Sequence, residues 1–204
     1  MTKIGIGIIG GGYMGKAHAV AMSAVGAVFN TQLRPRLEMV CASTPKSAER
    51  YREAFGFARC THNWEDLVRD DKIEAIVIAS PQTTHRKIVE LAYALGKPVL
   101  CEKPLGASLE DSRAMVAAAT GQISMVGFNY IRTPASQFAR QLIADGAIGD
   151  VTYFRGEHTE DFYADPTAPA TWRSVGEANG TLGDLAPHML NGARALIGPI
   201  TEVM

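Results

Sequence analysis

Ile4-Gly5-Ile6-Gly7-Ile8-Ile9-Gly10-Gly11-Gly12-Tyr13-Met14-Gly15 stands almost at the start of this 204-residue chain. Its first six residues form an apolar β run, and a helical stretch follows from Lys16 to about Ala24. Between them, Gly10, Gly12 and Gly15 fill three places of a strand-turn-helix that receives a dinucleotide, each for its own reason. Gly10 makes the tight turn, Gly12 lets backbone approach a pyrophosphate, and Gly15 lets helix and strand pack closely. The amides of the helix start, at Tyr13 and Met14, then face the phosphates. A glycine-rich turn with no ligand is the plainer alternative.

The next strand is expected at Leu37 to Ala42, after a connection through Asn30, Arg34, Pro35 and Arg36. An acidic residue at its end would hold a ribose 2′-hydroxyl, but Ser43, Thr44, Pro45 and Lys46 stand there. Two hydroxyls with a cation from Lys46 or Arg50 suit a 2′-phosphate, which favours NADP over NAD. Ser43 and Thr44 serve equally well as caps of a helix from Lys46 to Phe55. A short extended piece at Arg59 to Thr61, a small helix at Trp64 to Val68 and a buried strand at Ala75 to Ala79 come next. That strand runs into Ser80-Pro81-Gln82-Thr83-Thr84-His85 and a long helix ending near Ala94. Repetition of strand, polar loop and helix is the pattern of a doubly wound parallel α/β sheet, whose strand tips line one crevice. Ser80, Pro81 and Thr84 would stand on that crevice. His85 either starts its helix or reaches a nicotinamide ribose.

Gly96-Lys97-Pro98-Val99-Leu100-Cys101-Glu102-Lys103-Pro104-Leu105-Gly106 supplies the next unit. A helical pattern ends at Gly96, Pro98 to Cys101 makes a buried strand, and Glu102 and Lys103 stand at its carboxyl end. A carboxylate and an ammonium there read as a surface ion pair or as a site with a catalytic lysine.

A net charge of −1 and a pI near 6.5 give no electrostatic case for nucleic acid or an anionic membrane. No run is long enough to span a bilayer, and glycines interrupt the only leader-like stretch. Cys41, Cys60 and Cys101 are an odd number without metal-ligand spacing. A reducing, cytoplasmic setting, a small-molecule substrate and no metal are expected.

Gly10 to Gly15, Ser80 to His85, Gly96 to Leu100 and Cys101 to Leu105 resemble, in order and spacing, the Gfo/Idh/MocA oxidoreductases, the family of glucose-fructose oxidoreductase and inositol dehydrogenase. The resemblance extends over essentially the whole chain. It implies a Rossmann domain over 1–126. It also implies, over 127–204, the start of an incomplete α+β substrate and oligomerisation domain with an open, mostly antiparallel sheet. The activity implied is NAD(P)-dependent hydride transfer on a secondary alcohol or carbonyl of a sugar, an inositol-like polyol or a derivative.

Later stretches carry the same resemblance. Gly127-Phe128-Asn129-Tyr130 is similar to the family segment that enters the second domain, which puts Asn129 and Tyr130 at the substrate. The family often has arginine two places after this asparagine; Ile131 stands there, and no role passes to Arg132. Asn179-Gly180-Thr181-Leu182-Gly183-Asp184-Leu185-Ala186-Pro187-His188 resembles the glycine-rich lead into an Asp-x-x-x-His helix. Spaced by four, Asp184 and His188 would share one helical face. Taken alone, a helix cap and a surface imidazole explain them. With the resemblance, Lys103, Asp184 and His188 become the catalytic and substrate-binding group. Oxidising a secondary alcohol removes a hydroxyl proton as hydride leaves carbon, and either His188 or Lys103 would take that proton. Asp184 would position hydroxyls. Glu102 and Lys103 join the cofactor-binding set.

Remaining elements are a helix at Leu109 to Ala119, a strand at Ile123 to Val126, a helix at Ala135 to Asp145 and an alternating strand from Val151 to about His158. The chain stops at Met204, where the family continues with most of its open sheet, so the expectation is either a natural fragment or the amino-terminal part of a longer protein. Such a protein would be a homo-oligomer, a dimer or tetramer, through that sheet. An NAD-dependent glycosidase of the same family, or a non-catalytic dinucleotide-binding domain, are the other readings.

Overall fold

Eight residues, Thr2–Ile9, form the central strand β1, and five parallel strands assemble around it. They are β2 (Leu33–Cys41), β3 (Arg59–Thr61), β4 (Ala75–Ile78), β5 (Val99–Cys101) and β6 (Ser124–Val126), in the order β3-β2-β1-β4-β5-β6. This is a computed structural model, and it describes residues 1–161, 164–170 and 179–203. The chain divides into two compact units, Met1–Gly127 and Phe128–Met204.

In the first unit both sheet faces are covered, which is why the strands read as continuous apolar runs. Ile76 and Ile78 of β4 join one core with Leu67, Ile88, Val99 and Met115, while Val77 joins the opposite core with Ile6, Ile8, Ala19 and Val40. Helices α1 (Tyr13–Val28) and α2 (Pro45–Phe55) supply the second core; α3 (Trp64–Arg69), α4 (His85–Ala94) and α5 (Leu109–Ala118) supply the first. Each fully buried Ile, Leu or Val contributes roughly 1.5–3 kcal/mol by leaving water. Thr44 caps α2 by accepting from the Ser47 amide, and Ser108 caps α5 by accepting from that of Asp111.

Strand β2 begins four residues earlier than expected and contains Pro35. Pro35 pairs with Ile4, and β3 meets β2 only at Met39, Val40 and Cys41. The Leu37 carbonyl faces the β3 side, where it accepts from the Ala58 amide, so Pro35, two residues earlier, faces the same way. Its missing N–H therefore costs no ladder bond, as a proline on an open edge allows. Register shifts between Ile6 and Gly7 and leaves Glu38 as a bulge, buried and paired with Arg36 and Arg59.

The regular elements described in the second unit are helices. A 3₁₀ turn at Tyr130–Arg132 leads to α6 (Pro134–Ala144), and α7 (Gly180–Asp184) and α8 (Ala186–Leu196) follow. The expected strand from Val151 to His158 is not formed. Alternation alone does not make a strand, and among the described residues no second strand pairs with it. The single helix expected through Asp184 and His188 is also broken. Pro187 has no N–H to give the Gly183 carbonyl, so α7 closes at Asp184 and α8 starts at Ala186. The His188 amide bonds to the Leu185 carbonyl at 3.0 Å, three residues back. Asp184 and His188 thus lie on either side of an interruption in the helical hydrogen bonds, with Leu185 between them still in a right-handed helical conformation.

Candidate functional site

The sheet order reverses direction at β1 and β4, and open parallel sheets receive ligands beside such a point, at the carboxyl ends of the strands. Here the tips are tied together by amides that extend the ladder. Gly10 donates to the Cys41 carbonyl, Ala79 to Ile9, Glu102 to Ile78 and Gly127 to Cys101. Gly10 sits at the switch with φ +102°, and a Cβ on it would lie 2.7 Å from the Ser80 nitrogen. A Cβ on Gly15 would collide with the Gly10 carbonyl, whereas one on Gly12 would meet nothing within 4 Å. The turn is closed where strand and helix meet and open where α1 begins. That shape fits a dinucleotide: the first amides of α1 have no intrahelical acceptor and stand beside the open position. Tyr13 is exposed there, and Met14 is half-buried.

At the β2 tip, Ser43, Thr44 and Lys46 are exposed. Thr44 and Ser47 form a reciprocal capping box, so the Thr44 hydroxyl serves α2. The Tyr51 ring lies where a side chain on Gly11 would go, and the Arg50 guanidinium stands 4.9 Å over that ring. At the β4 tip, the Ser80 and Thr84 hydroxyls are 2.7 Å apart, and Thr84 donates to the Pro81 carbonyl.

Two expected cofactor contacts are turned inward. His85 is 1% exposed, with Nδ1 3.0 Å from the Leu105 carbonyl and Nε2 2.8 Å from that of Ser80. Both ring nitrogens are engaged by backbone, so the imidazole clamps the loop after β4 to the loop carrying Lys103 and Pro104 and leaves no ring atom for a ribose. Glu102 is buried likewise; His18 Nε2 donates to its Oε1 at 2.7 Å, and its Oε2 accepts from the Lys103 amide at 3.2 Å. Its carboxylate also fills the place of a side chain on Gly127, 2.6 Å from an added Cβ. His18, on α1, escaped the sequence reading because nothing local marks a partner 84 residues away. Between these two inward anchors, Lys103 is held half-buried at the β5 tip. Burial pushes the neighbouring Cys101 thiol up, with the Glu102 charge adding to it, so this cysteine stays a protonated core residue.

Within the second unit, His188 is surrounded by rings. Tyr130 is 4.3 Å away between centroids, Phe128 6.1 Å in an edge arrangement, and His158 5.7 Å and nearly parallel. A cavity of about 120 Å³ reaches His188 from the α6 side, lined by Tyr130, Arg132, Ser136, Gln137 and Arg140 among others. Asn129 is exposed beside Tyr130, and Asp184 is half-buried. Among the described residues no group of three acidic, histidine or cysteine side chains is placed to hold a metal ion.

Glycine turn, switch point and strand order together define the first unit as a nucleotide-binding Rossmann domain. A family model described as oxidoreductase family, NAD-binding Rossmann fold, matches residues 4–130, and one for the GFO/IDH/MocA C-terminal domain matches 136–204. The chain belongs to the Gfo/Idh/MocA family. It is 38% identical to levoglucosan dehydrogenase of Pseudarthrobacter phenanthrenivorans, over 100% of this chain and 53% of that protein. It is 32% identical to inositol 2-dehydrogenase of Rhizobium meliloti, over 94% of this chain and 54% of that one. A structure of levoglucosan dehydrogenase in complex with NADH and levoglucosan superposes with a TM-score of 0.93 at 37% identity, covering 97% of this chain and 55% of the other. The chain therefore spans about half the length of the relatives it matches.

Proposed function

We propose that this chain carries the cofactor site and the proton-handling residues of an NAD(P)-dependent oxidoreductase acting on a secondary alcohol or carbonyl of a sugar or polyol. The observation that supports this most is the turn at the β1–β4 switch, closed at Gly10 and Gly15 and open at Gly12. Nicotinamide, when bound, gives or takes the hydride. The remaining work falls to the chain. Amides at the start of α1 hold the pyrophosphate, with Ser80, Pro81 and Thr84 beside it. Lys103 offers a cation to the developing alkoxide, His188 or Lys103 takes the hydroxyl proton, and Asp184, Asn129 and Tyr130 orient the substrate. Glu102 and His85 act by fixing the loop that bears Lys103.

NADP is the preferred cofactor in this reading, because Arg50 is held over Tyr51 beside the glycine turn and no acidic side chain follows β2. Residues 127–204 begin the substrate and oligomerisation domain of a cytoplasmic homo-oligomer that binds neither nucleic acid nor membrane.

The test measures NADP and NAD binding by calorimetry and follows reduced-nicotinamide absorbance with a panel of polyols. Lys103→Met and His188→Ala should each lower kcat by about 10²–10⁴-fold while cofactor affinity stays within roughly a few-fold. Full activity in either variant removes that residue from the mechanism, and tighter binding of NAD than NADP overturns the cofactor preference.

A further inference from the structure

Helix α1 is seated on the sheet by Gly15 and Ala19, both buried, and by the close approach of Gly15 to the Gly10 carbonyl. His18 lies three places after Gly15 and shares that inward face, with its side chain 15% exposed. From there its Nε2 donates to Glu102 Oε1 at 2.7 Å. The carboxylate it meets is closed in on its other sides. The Glu102 amide is bonded to the Ile78 carbonyl, and the carboxylate occupies the place of a side chain on Gly127, whose own amide is bonded to Cys101. Oε2 accepts from the Lys103 amide at 3.2 Å. One donor thus comes from the helix that faces the cofactor and another from the backbone of Lys103.

We infer that His18 is a positioning residue for Lys103 and acts through Glu102. This rests on the oxidoreductase reading above, in which Lys103 faces the developing alkoxide, and adds that the helix seating the cofactor also sets where that ammonium stands. A buried carboxylate that loses one donor leaves an uncompensated charge out of reach of bulk water, so it turns toward another donor. Oε2 and the Lys103 amide bonded to it then shift as well. A displacement of about 1 Å at the reacting group costs up to about 10²-fold in rate and leaves the surface that holds the cofactor as it was. The imidazole ring is rigid, so its Nε2 is fixed once α1 is seated.

The experiment compares the 204-residue chain with its His18→Asn and His18→Gln variants, each also made together with Lys103→Met. The asparagine amide stops near the position of Nδ1, whereas the glutamine amide nitrogen reaches that of Nε2 and still donates to Glu102. With the polyol panel, His18→Asn should lower kcat by about 10- to 100-fold while NAD(P) affinity stays within roughly a few-fold, and His18→Gln should recover most of the loss. On top of Lys103→Met, His18→Asn should cost no more than about twofold, because the group it positions is gone. An undiminished loss in that background, equal losses in the two single variants, or full activity in His18→Asn overturns the inference. His18→Ser stands in if the asparagine variant lacks a cooperative urea transition. Lack of turnover by the parent counts against the oxidoreductase reading instead. Where the parent or its Lys103→Met form is too slow to assay, competitive acylation read by mass spectrometry decides for His18, with the exposed Lys87 as internal reference. A Lys103 rate that changes in His18→Asn and is kept in His18→Gln supports the inference; an unchanged rate, or the same change in both, overturns it.

Discussion

At Gly15 an added methyl group has nowhere to go, because it would fall on the Gly10 carbonyl oxygen, whereas three residues earlier at Gly12 it would meet nothing. Backbone cannot yield as a side chain can, so Gly15→Ala should lower stability by about 1–3 kcal/mol in urea unfolding, as overpacking of a tight contact does. Gly12→Val should leave stability within about 1 kcal/mol, the scale of a changed helix cap. The same substitution should weaken NAD(P) at least roughly tenfold, by occupying the space through which a pyrophosphate approaches. A Gly12→Val chain that binds cofactor like its parent in calorimetry would show that the site lies elsewhere.

Between elements, the first unit is tied at its β3 edge by a chain of charges. Arg59 of β3 bonds Glu38 of β2 at 2.9 Å and Asp70, at the end of α3, at 2.5 and 2.9 Å, and Lys97 before β5 donates to the Asp70 carbonyl at 2.7 Å. The guanidinium of Arg59 holds the Asp70 carboxyl down to about 2, and the Lys72 amide assists. An aspartate depressed in this way stabilises the fold above its unfolded pKa of about 4, and that contribution disappears as pH falls from about 4 to about 2. Asp70→Asn should cost about 1–2 kcal/mol at neutral pH and flatten the acid limb of a stability-versus-pH curve across that window. An unchanged acid limb would mean that the pair contributes nothing. Elements of this unit were legible in sequence where the signal is local. Strands β1, β4 and β5 are apolar runs closed by glycine or a polar turn, and the glycine turn itself is contiguous. The start of β2 was not legible, since Pro35 reads as a breaker until one knows that β3 pairs with only three residues of β2. The break at Leu185 was within reach, because Pro187 lies where a continuous helix needs its amide. Val151 to His158 failed because alternation describes a face and not a partner. In the candidate site, the links from His18 to Glu102 and from His85 to Leu105 span 84 and 20 residues, beyond any local pattern.

Taken whole, the molecule keeps its fully buried hydrophobic residues within the first unit; Met115 is the last of them among the described residues. In the second unit Phe138 (61%), Leu182 (80%) and Leu190 (54%) are exposed. Residues 1–127 expressed alone should therefore unfold in one cooperative transition and bind NAD(P) within about a few-fold of the whole chain, since a domain with its own core folds by itself. A fragment lacking a cooperative transition would show that the core needs residues beyond 127. From Leu33 to Arg36 the outer side of β2 has no strand beside it among the described residues, and such an edge invites the backbone of another chain. Pro35 denies that visitor an amide in the middle of the stretch, and Arg34 and Arg36 set like charges against like on either side. Pro35→Val should leave the fold intact yet raise light scattering at high concentration. The residue that looks like an interruption of the strand would thus be what stops the sheet from growing past its own molecule.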